Sequence, residues 1–183
     1  MKTLGVLLAA GASRRFGAED KLLASWRGEP LVVAAARTLA RAGCDELAAV
    51  VSSGAVAAAL PPAFPAIHIE PGLNMSASLR AACRFAGARD VDRMLIALGD
   101  MPALRVETLR KLLTSAHQSR ACHVDGTRMP PVVLLRQDWR KAALEQGDQG
   151  ARSVIAALPA SALLALSCDE ARDIDRVRDL EKP

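Results

Sequence analysis

Two short stretches of this chain hold residue types that could do chemistry together. The first is Gly11-Ala12-Ser13-Arg14-Arg15-Phe16-Gly17 with Lys21 just beyond it, directly after an unbroken apolar run over residues 4–10. Glycines let a ligand approach the backbone closely, main-chain N–H groups can point inward, and Arg15 and Lys21 add fixed positive charge. These are the ingredients of an anion site. The spacing disfavours two familiar phosphate loops. A Walker A loop needs Gly, four residues and Gly-Lys-Ser/Thr, and a dinucleotide fingerprint needs G-x-G-x-x-G; neither spacing occurs here. The same composition also suits a tight turn that leaves basic residues in water. The second stretch is Leu98-Gly99-Asp100-Met101-Pro102, closing another apolar run. A carboxylate there can hold Mg²⁺, which takes one or two carboxylates plus substrate phosphates, or it can cap the following turn. If the two stretches meet, a cationic loop faces a metal carboxylate, which is a set suited to phosphoryl chemistry.

Other catalytic arrangements are missing. His68, His117 and His123 lie outside both stretches, and no Ser-His-Asp or Cys-His pattern is apparent. Cys44, Cys83, Cys122 and Cys168 form no C-x-x-C pair, so a disulfide scaffold and a zinc site are both disfavoured, and reduced, mostly buried thiols are expected.

The elements that must position these residues alternate strand, loop and helix. Residues 4–10, 47–51, 67–69 and 94–98 read as strands. Helices are expected with Pro30 in the first turn and Gly43 as the C-terminal cap, in a short segment stopped by Pro61-Pro62, over 76–86 and over about 106–117. The last third reads as a strand over 131–135, a helix over about 138–145, a break at Gly147-Asp148-Gln149-Gly150, a helix over 151–158 and a strand over 163–166. A last short helix follows Asp173-Ile174-Asp175. This alternation predicts a three-layer α/β/α, Rossmann-like fold with a mostly parallel sheet, forming one domain over residues 1–183. Ligands of such sheets bind beyond the carboxyl ends of the strands, where both chemical stretches fall.

Bulk properties narrow the partners. Lys and Arg exceed Asp and Glu by 24 to 20, a net charge of +4, which suits polyphosphates but is too small to mark nucleic acid. Aromatics are 3%, too few to build stacking platforms for single strands. No stretch approaches the ~18 apolar residues of a membrane span. Lys2, the apolar run and Ala10-Gly11-Ala12 imitate a signal peptide. Cleavage there would remove the first strand and half of the glycine loop, so a cytoplasmic protein is expected.

Several motifs in order carry a resemblance. Leu8-Ala9-Ala10-Gly11-Ala12-Ser13-Arg14-Arg15-Phe16-Gly17 with Lys21 resembles the L-A-[AG]-G-x-[SG]-x-R-x-G…K signature of the NTP-transferase superfamily. Within it the chain looks most like the molybdopterin guanylyl- and cytidylyltransferases and their molybdenum-hydroxylase accessory relatives. Met75-Ser76-Ala77-Ser78-Leu79 resembles that group's G-M-x-x-S-L helix start, and Gly99-Asp100-Met101-Pro102 its G-D-x-P. Residues 147–152 resemble G-D-x-G-A-R, common in the cytidylyl branch. Asp173-Ile174-Asp175 with Asp179-Leu180 resembles the closing D-I-D-T-P-E-D-L. Asn74, Arg176-Val177 and Met129 depart from the pattern; Met129 stands in the acceptor-side segment, residues 126–131, where relatives carry a second Gly.

The resemblance implies a Mg²⁺-dependent nucleotidyltransferase that moves a nucleoside monophosphate from an NTP to a phosphorylated acceptor and releases pyrophosphate. Leu8, Ala9, Ala10, Gly11, Ser13, Arg15, Lys21 and Ser78 would bind the nucleotide, with Arg15, Lys21 and Asp100 catalytic. Asp100 and Asp175 would hold the metal. Ala at position 10 and the G-D-x-G-A-R segment lean toward CTP over GTP, with molybdopterin as acceptor and a molybdenum hydroxylase as recipient of the product. The alternatives are a guanylyltransferase, a sugar- or alditol-phosphate nucleotidyltransferase, and a non-catalytic carrier of the molybdenum cofactor.

Overall fold

The computed structural model describes residues 1–11, 16, 20–114, 118–144 and 151–180. The continuously apolar runs become neighbouring strands because each is covered on both faces. In chain order the elements are β1 (Thr3–Ala9), β2 (Ser25–Trp26), β3 (Glu29–Pro30), α1 (Leu31–Ala40), β4 (Glu46–Val51), α2 (Gly54–Ala59), β5 (Ala66–His68), α3 (Met75–Gly87) and β6 (Arg93–Leu98). They continue with α4 (Val106–Leu113), β7 (Arg120–Val124), β8 (Thr127–Leu135), α5 (Arg136–Ala142), α6 (Arg152–Ala156) and β9 (Leu163–Ala165). Short 3₁₀ turns lie at Lys21–Leu23, Ala160–Ala162 and Val177–Asp179.

Seven strands form one sheet in the order β5-β4-β1-β6-β8-β7-β9. β8 runs antiparallel to β6 and β7, while the other pairings are parallel. Successive strand residues point to opposite faces, so the core splits in two. Leu7, Ala9, Val51, Leu95 and Ala97 pack with Val32 and Leu39 of α1 and Leu109 and Leu112 of α4. Leu4, Val6, Val50, Met94 and Ile96 pack with Leu79 and Ala82 of α3 and Trp139 of α5 on the other side. The result is the expected three-layer arrangement around a mostly parallel sheet. Among the described residues no helix is long and apolar enough to cross a membrane.

The topology creates the crevice. From β1 the chain adds β4 and then β5 on one flank, then crosses back to lay β6 on the other flank of β1. Neighbouring strands whose connections leave in opposite directions open a cleft at their carboxyl ends. The β1–β6 pairing runs to Leu8 opposite Leu98, and the Gly99 N–H extends it by donating to the Leu8 carbonyl at 2.9 Å. A Cβ on Gly99 would lie 3.3 Å from both Ala9 Cβ and Leu22 Cδ2. Glycine therefore lets the chain leave β6 pressed against the end of β1, which sets Asp100 at the cleft.

Some elements escaped the sequence reading. β7 was not foreseen, because Arg120-Ala121-Cys122-His123-Val124 shows no clear alternation. Its partner β8 begins four residues earlier than expected, at Thr127. Asp125 and Gly126, with φ of 47° and 79°, close a two-residue hairpin whose backbone twist suits the flanking strands. Pro130 and Pro131 lack ladder donors, and the register slips between Ala121 and Cys122 opposite them. The β2–β3 ribbon was also missed; Arg27 and Gly28, at φ 51° and 90°, turn it in the same manner. Pro30 is the N-cap of α1 rather than part of its first turn. The C-cap of α1 is Arg41 rather than Gly43; Gly43, at φ 96°, turns the chain two residues later. Helix α4 ends at Leu113 and α5 at Ala142, both shorter than the sequence suggested.

The four thiols are free: Cys83 and Cys122 buried, Cys44 half-buried and Cys168 exposed. Burial pushes Cys44, Cys83 and Cys122 up to about 12, and only a thiolate is an effective nucleophile. Iodoacetamide at mildly alkaline pH should therefore alkylate the folded protein at Cys168 first, with the other three modified only after unfolding. Peptide mass spectrometry showing equal labelling of Cys122 would contradict this packing.

Candidate functional site

Lys21 opens a short 3₁₀ turn. The Asp20 carboxylate accepts from the Leu22 N–H at 3.1 Å, and Leu22 is buried in the core, so the turn is fixed at both ends and Lys21 is aimed at the cleft. Its ammonium donates to Asp100 Oδ2 at 2.8 Å and to Asp175 Oδ1 at 3.0 Å. The Lys21 side chain is only 12% exposed, while those of Asp100 and Asp175 are 23% and 48% exposed.

Asp175 comes from the far end of the chain and is tied in twice. The Ile174 N–H donates to the Asp100 carbonyl at 2.9 Å, and the Ile174 side chain is fully buried with Phe16, Trp26, Leu31 and Ala34. Asp179 Oδ2 accepts from the N–H groups of Asp175 and Arg176 at 3.2 and 2.9 Å, which holds the turn that presents Asp175.

The electrostatics follow. Burial alone would lower the basicity of Lys21. The charge and hydrogen bond of Asp100, with those of Asp175, outweigh it and hold the ammonium above the ordinary lysine value of 10.5. Asp173 is a third acid here, and the sequence reading gave it no role. Burial, then the charges of Asp175 and Asp100, push its carboxyl above the usual range despite Lys21 nearby. Its signal was visible, since it opens the same Asp-Ile-Asp segment that supplied Asp175.

Beside this cluster lies a cleft of about 280 Å³ at the carboxyl ends of β1 and β6. Leu8, Ala10, Gly11, Lys21, Ser78 and Asp100 line it, together with Leu73, Asn74, Met75 and Arg152. Six of the nominated residues thus share one wall. Ala9 does not line it: the alternation of β1 turns its side chain into the opposite core layer, where it is 2% exposed. Ser13 and Arg15 fall outside the described residues, as does the segment 147–150. Ser78 reaches the cleft from α3, whose N-terminus is capped by the Asn74 side chain accepting from the Ala77 N–H at 3.0 Å. A second cavity of about 450 Å³ adjoins, sharing Leu8, Met75, Leu98 and Arg152 and bounded by Leu79, Ile96, Met101, Met129, Pro130 and Val132. The acceptor-side segment is therefore not a loop throughout. Gly126 sits in the hairpin turn, while Met129 and Pro130 belong to β8 and wall the second cavity.

Among the described residues no three His, Cys, Asp or Glu side chains form a ready metal cage. Oxygens of Asp100 and Asp175 nonetheless converge on one positive atom, Lys21 Nζ, at 2.8 and 3.0 Å. The ammonium stands where a hard cation would find two oxygen donors. Two carboxylates completed by substrate phosphates fit a Mg²⁺-type ion, which rarely uses an all-protein cage.

Comparison with known proteins gives the chain's relatives. The family model described as a MobA-like NTP transferase domain matches residues 5–165. The nicotine blue oxidoreductase of Paenarthrobacter nicotinovorans is 31% identical over 192 residues, covering 96% of this chain and 93% of that protein. The molybdenum cofactor guanylyltransferase of Xanthomonas euvesicatoria is 31% identical over 153 residues, covering 82% and 75%. The crystal structure of Rv0371c from Mycobacterium tuberculosis superposes with a TM-score of 0.83 at 26% identity, covering 98% of this chain and 96% of that one. A manganese complex of Rv0371c superposes at 0.74 with 24% identity over the full length of both chains.

Removing the cation should expose the strain among the acids. Lys21→Met leaves Asp100, Asp173 and Asp175 without their shared counter-ion, and should destabilise the ligand-free protein by about 1–3 kcal/mol in urea unfolding near neutral pH. Because the folded pKa of Lys21 is raised, its contribution is fully present below 10.5 and is lost only as pH climbs through the higher folded value. The gap between wild type and variant should therefore hold on the alkaline side of neutrality and close only as the Lys21 ammonium loses its proton at strongly alkaline pH. A gap that closed between pH 8 and 10 would contradict the assignment.

Proposed function

The chain belongs to the MobA-like NTP transferase family, and on that premise we propose that it is a cytidylyltransferase acting on molybdopterin, releasing pyrophosphate and forming a cytosine dinucleotide cofactor. The observation that carries the transferase part is Lys21 set between Asp100 and Asp175 at the mouth of the switch-point cleft. The same family includes a relative named as an oxidoreductase, so membership alone does not fix the reaction. A cation poised against paired carboxylates beside an open cleft is a charge set for polyphosphate.

Ala10, Gly11 and Ser78 line the cleft on the nucleotide side, with the backbone of Ser13 assigned to the nucleotide and Arg15 to the triphosphate as in the family signature. Lys21 leaves the carboxylates to bind the triphosphate and the charge developing on pyrophosphate. Asp100 and Asp175 would hold Mg²⁺, which would neutralise charge on the phosphate oxygens; the manganese complex of the structural neighbour Rv0371c supports a divalent ion. No general base is required, because a phosphate monoester with a second pKa near ~6 is already largely ionised at neutral pH. Catalysis is then positioning plus charge neutralisation of an in-line displacement.

The choice of acceptor and nucleotide rests on narrower grounds. Apolar residues dominate the walls of the second cavity, including Leu79, Ile96, Met101 and Met129. Such walls suit the faces of a flat heterocycle, while Arg128, Arg152 and Asp173, which also line the cavity, offer polar partners for its edges. Ala10, which lines the nucleotide cleft, supports CTP through its resemblance to CTP-using relatives. The guanylyltransferase from Xanthomonas makes GTP the competing nucleotide.

Pyrophosphate release with molybdopterin and each NTP in turn tests the proposal. Acceptor-dependent release with CTP alone is the expected result, and Lys21→Ala should lower kcat by ~10²–10³-fold. Release with GTP alone would overturn the use of Ala10. No release with any NTP, while molybdopterin still binds, would replace the transferase with a cofactor carrier.

A further inference from the structure

The two cavities share a wall, and the cations along it are in unequal states. Lys21 is committed to Asp100 and Asp175. Arg128 is committed too, its Nη1 donating to the carbonyls of Ile155, Ala156 and Leu158 at 2.8, 2.6 and 2.8 Å. Arg152 lines both cavities, and among the described residues its guanidinium makes no hydrogen bond or ion pair. It is thus the uncommitted positive charge at the junction of the nucleotide cleft and the apolar cavity.

We propose that Arg152 receives the phosphate of the acceptor, and that Arg128 positions it; this rests on the transferase reading above. If the acceptor body fills the second cavity, its phosphate must lie at the shared wall to reach a nucleotide in the first. There one of its oxygens forms a bond to the α-phosphorus, the bond from that phosphorus to the β-bridging oxygen breaks, and pyrophosphate leaves with the electron pair. Two polyanions must approach for this to happen, and a guanidinium reduces their repulsion while its planar fork grips phosphate oxygens bidentately. Helix α6 spans only Arg152–Ala156, too short to be stable alone. It is held by Ile155 in the core and by the Arg128 clamp on its carboxyl-end carbonyls, so the placement of Arg152 depends on Arg128.

Steady-state kinetics with molybdopterin and CTP, beside equilibrium binding of a non-hydrolysable CTP analogue, separates the roles. Arg152→Ala should raise the acceptor KM on the order of 10- to 100-fold with analogue affinity unchanged, and Arg152→Lys should restore part of it because a point charge lacks the fork. Arg128→Gln should raise the same KM through misplacement of α6, again sparing the analogue. An unchanged acceptor KM in Arg152→Ala, or a loss of analogue affinity instead, overturns the proposal while leaving the transferase reading intact. If wild type releases no pyrophosphate, that reading fails by itself, and direct titration of molybdopterin fluorescence then decides. Weaker binding to Arg152→Ala than to wild type supports the role, whereas equal binding, or none to either, overturns it.

Discussion

The arrangement of this site depends on a single cation shared by two carboxylates. Lys21 is separated from Asp100 and Asp175 by 79 and 154 residues along the chain, yet its ammonium lies 2.8 and 3.0 Å from their carboxylate oxygens. Carboxylates brought together without a counter-ion repel, and partial burial magnifies the penalty. The last segment, joined to the end of β6 by the Ile174–Asp100 backbone bond, is therefore stabilised there by a positive charge between the acids. In the ligand-free protein that is the Lys21 ammonium. The surrounding features serve this placement: the Gly99–Leu8 hydrogen bond sets Asp100, the buried Ile174 anchors Asp175, and the Asp20 cap aims Lys21.

The same constraint joins fold and function. The topological switch beside β1 puts the ends of β1 and β6 at one crevice, and the three acids with one lysine give that crevice a tunable charge. On the function proposed above, a negatively charged ligand would draw Lys21 away while a divalent cation replaced it at Asp100 and Asp175, so nucleotide and metal binding would be two sides of one exchange. The apolar second cavity, walled by β8 and α6, adds a compartment of different chemistry within reach of the first.

How much of this could be read from residues alone varied with the kind of signal. The fold class was readable because strands buried on both faces are continuous apolar runs, as in β1 and β6. That Lys21 and Asp100 meet at one crevice was readable because both follow strand ends, where such sheets open. Elements resting on tertiary context were not. β7 mixes Arg120 and His123 with small residues and becomes a strand by pairing with β8. The Asp125-Gly126 turn is a strong short hairpin signal, but the strand before it carries no alternation that would mark it as half of a hairpin. Asp173 was passed over because its importance comes from proximity to two other acids. Arg128 was passed over because its partners are backbone carbonyls, which no motif marks.

The most direct test of the exchange is Mn²⁺ affinity, measured by electron paramagnetic resonance on wild type and Lys21→Met, each with and without a non-hydrolysable nucleotide. The account predicts that wild type binds the ion weakly until nucleotide is added, whereas Lys21→Met binds it without nucleotide. Tight nucleotide-independent binding by wild type, or equal weak binding by both proteins, would contradict the claim that Lys21 occupies the place the metal must take.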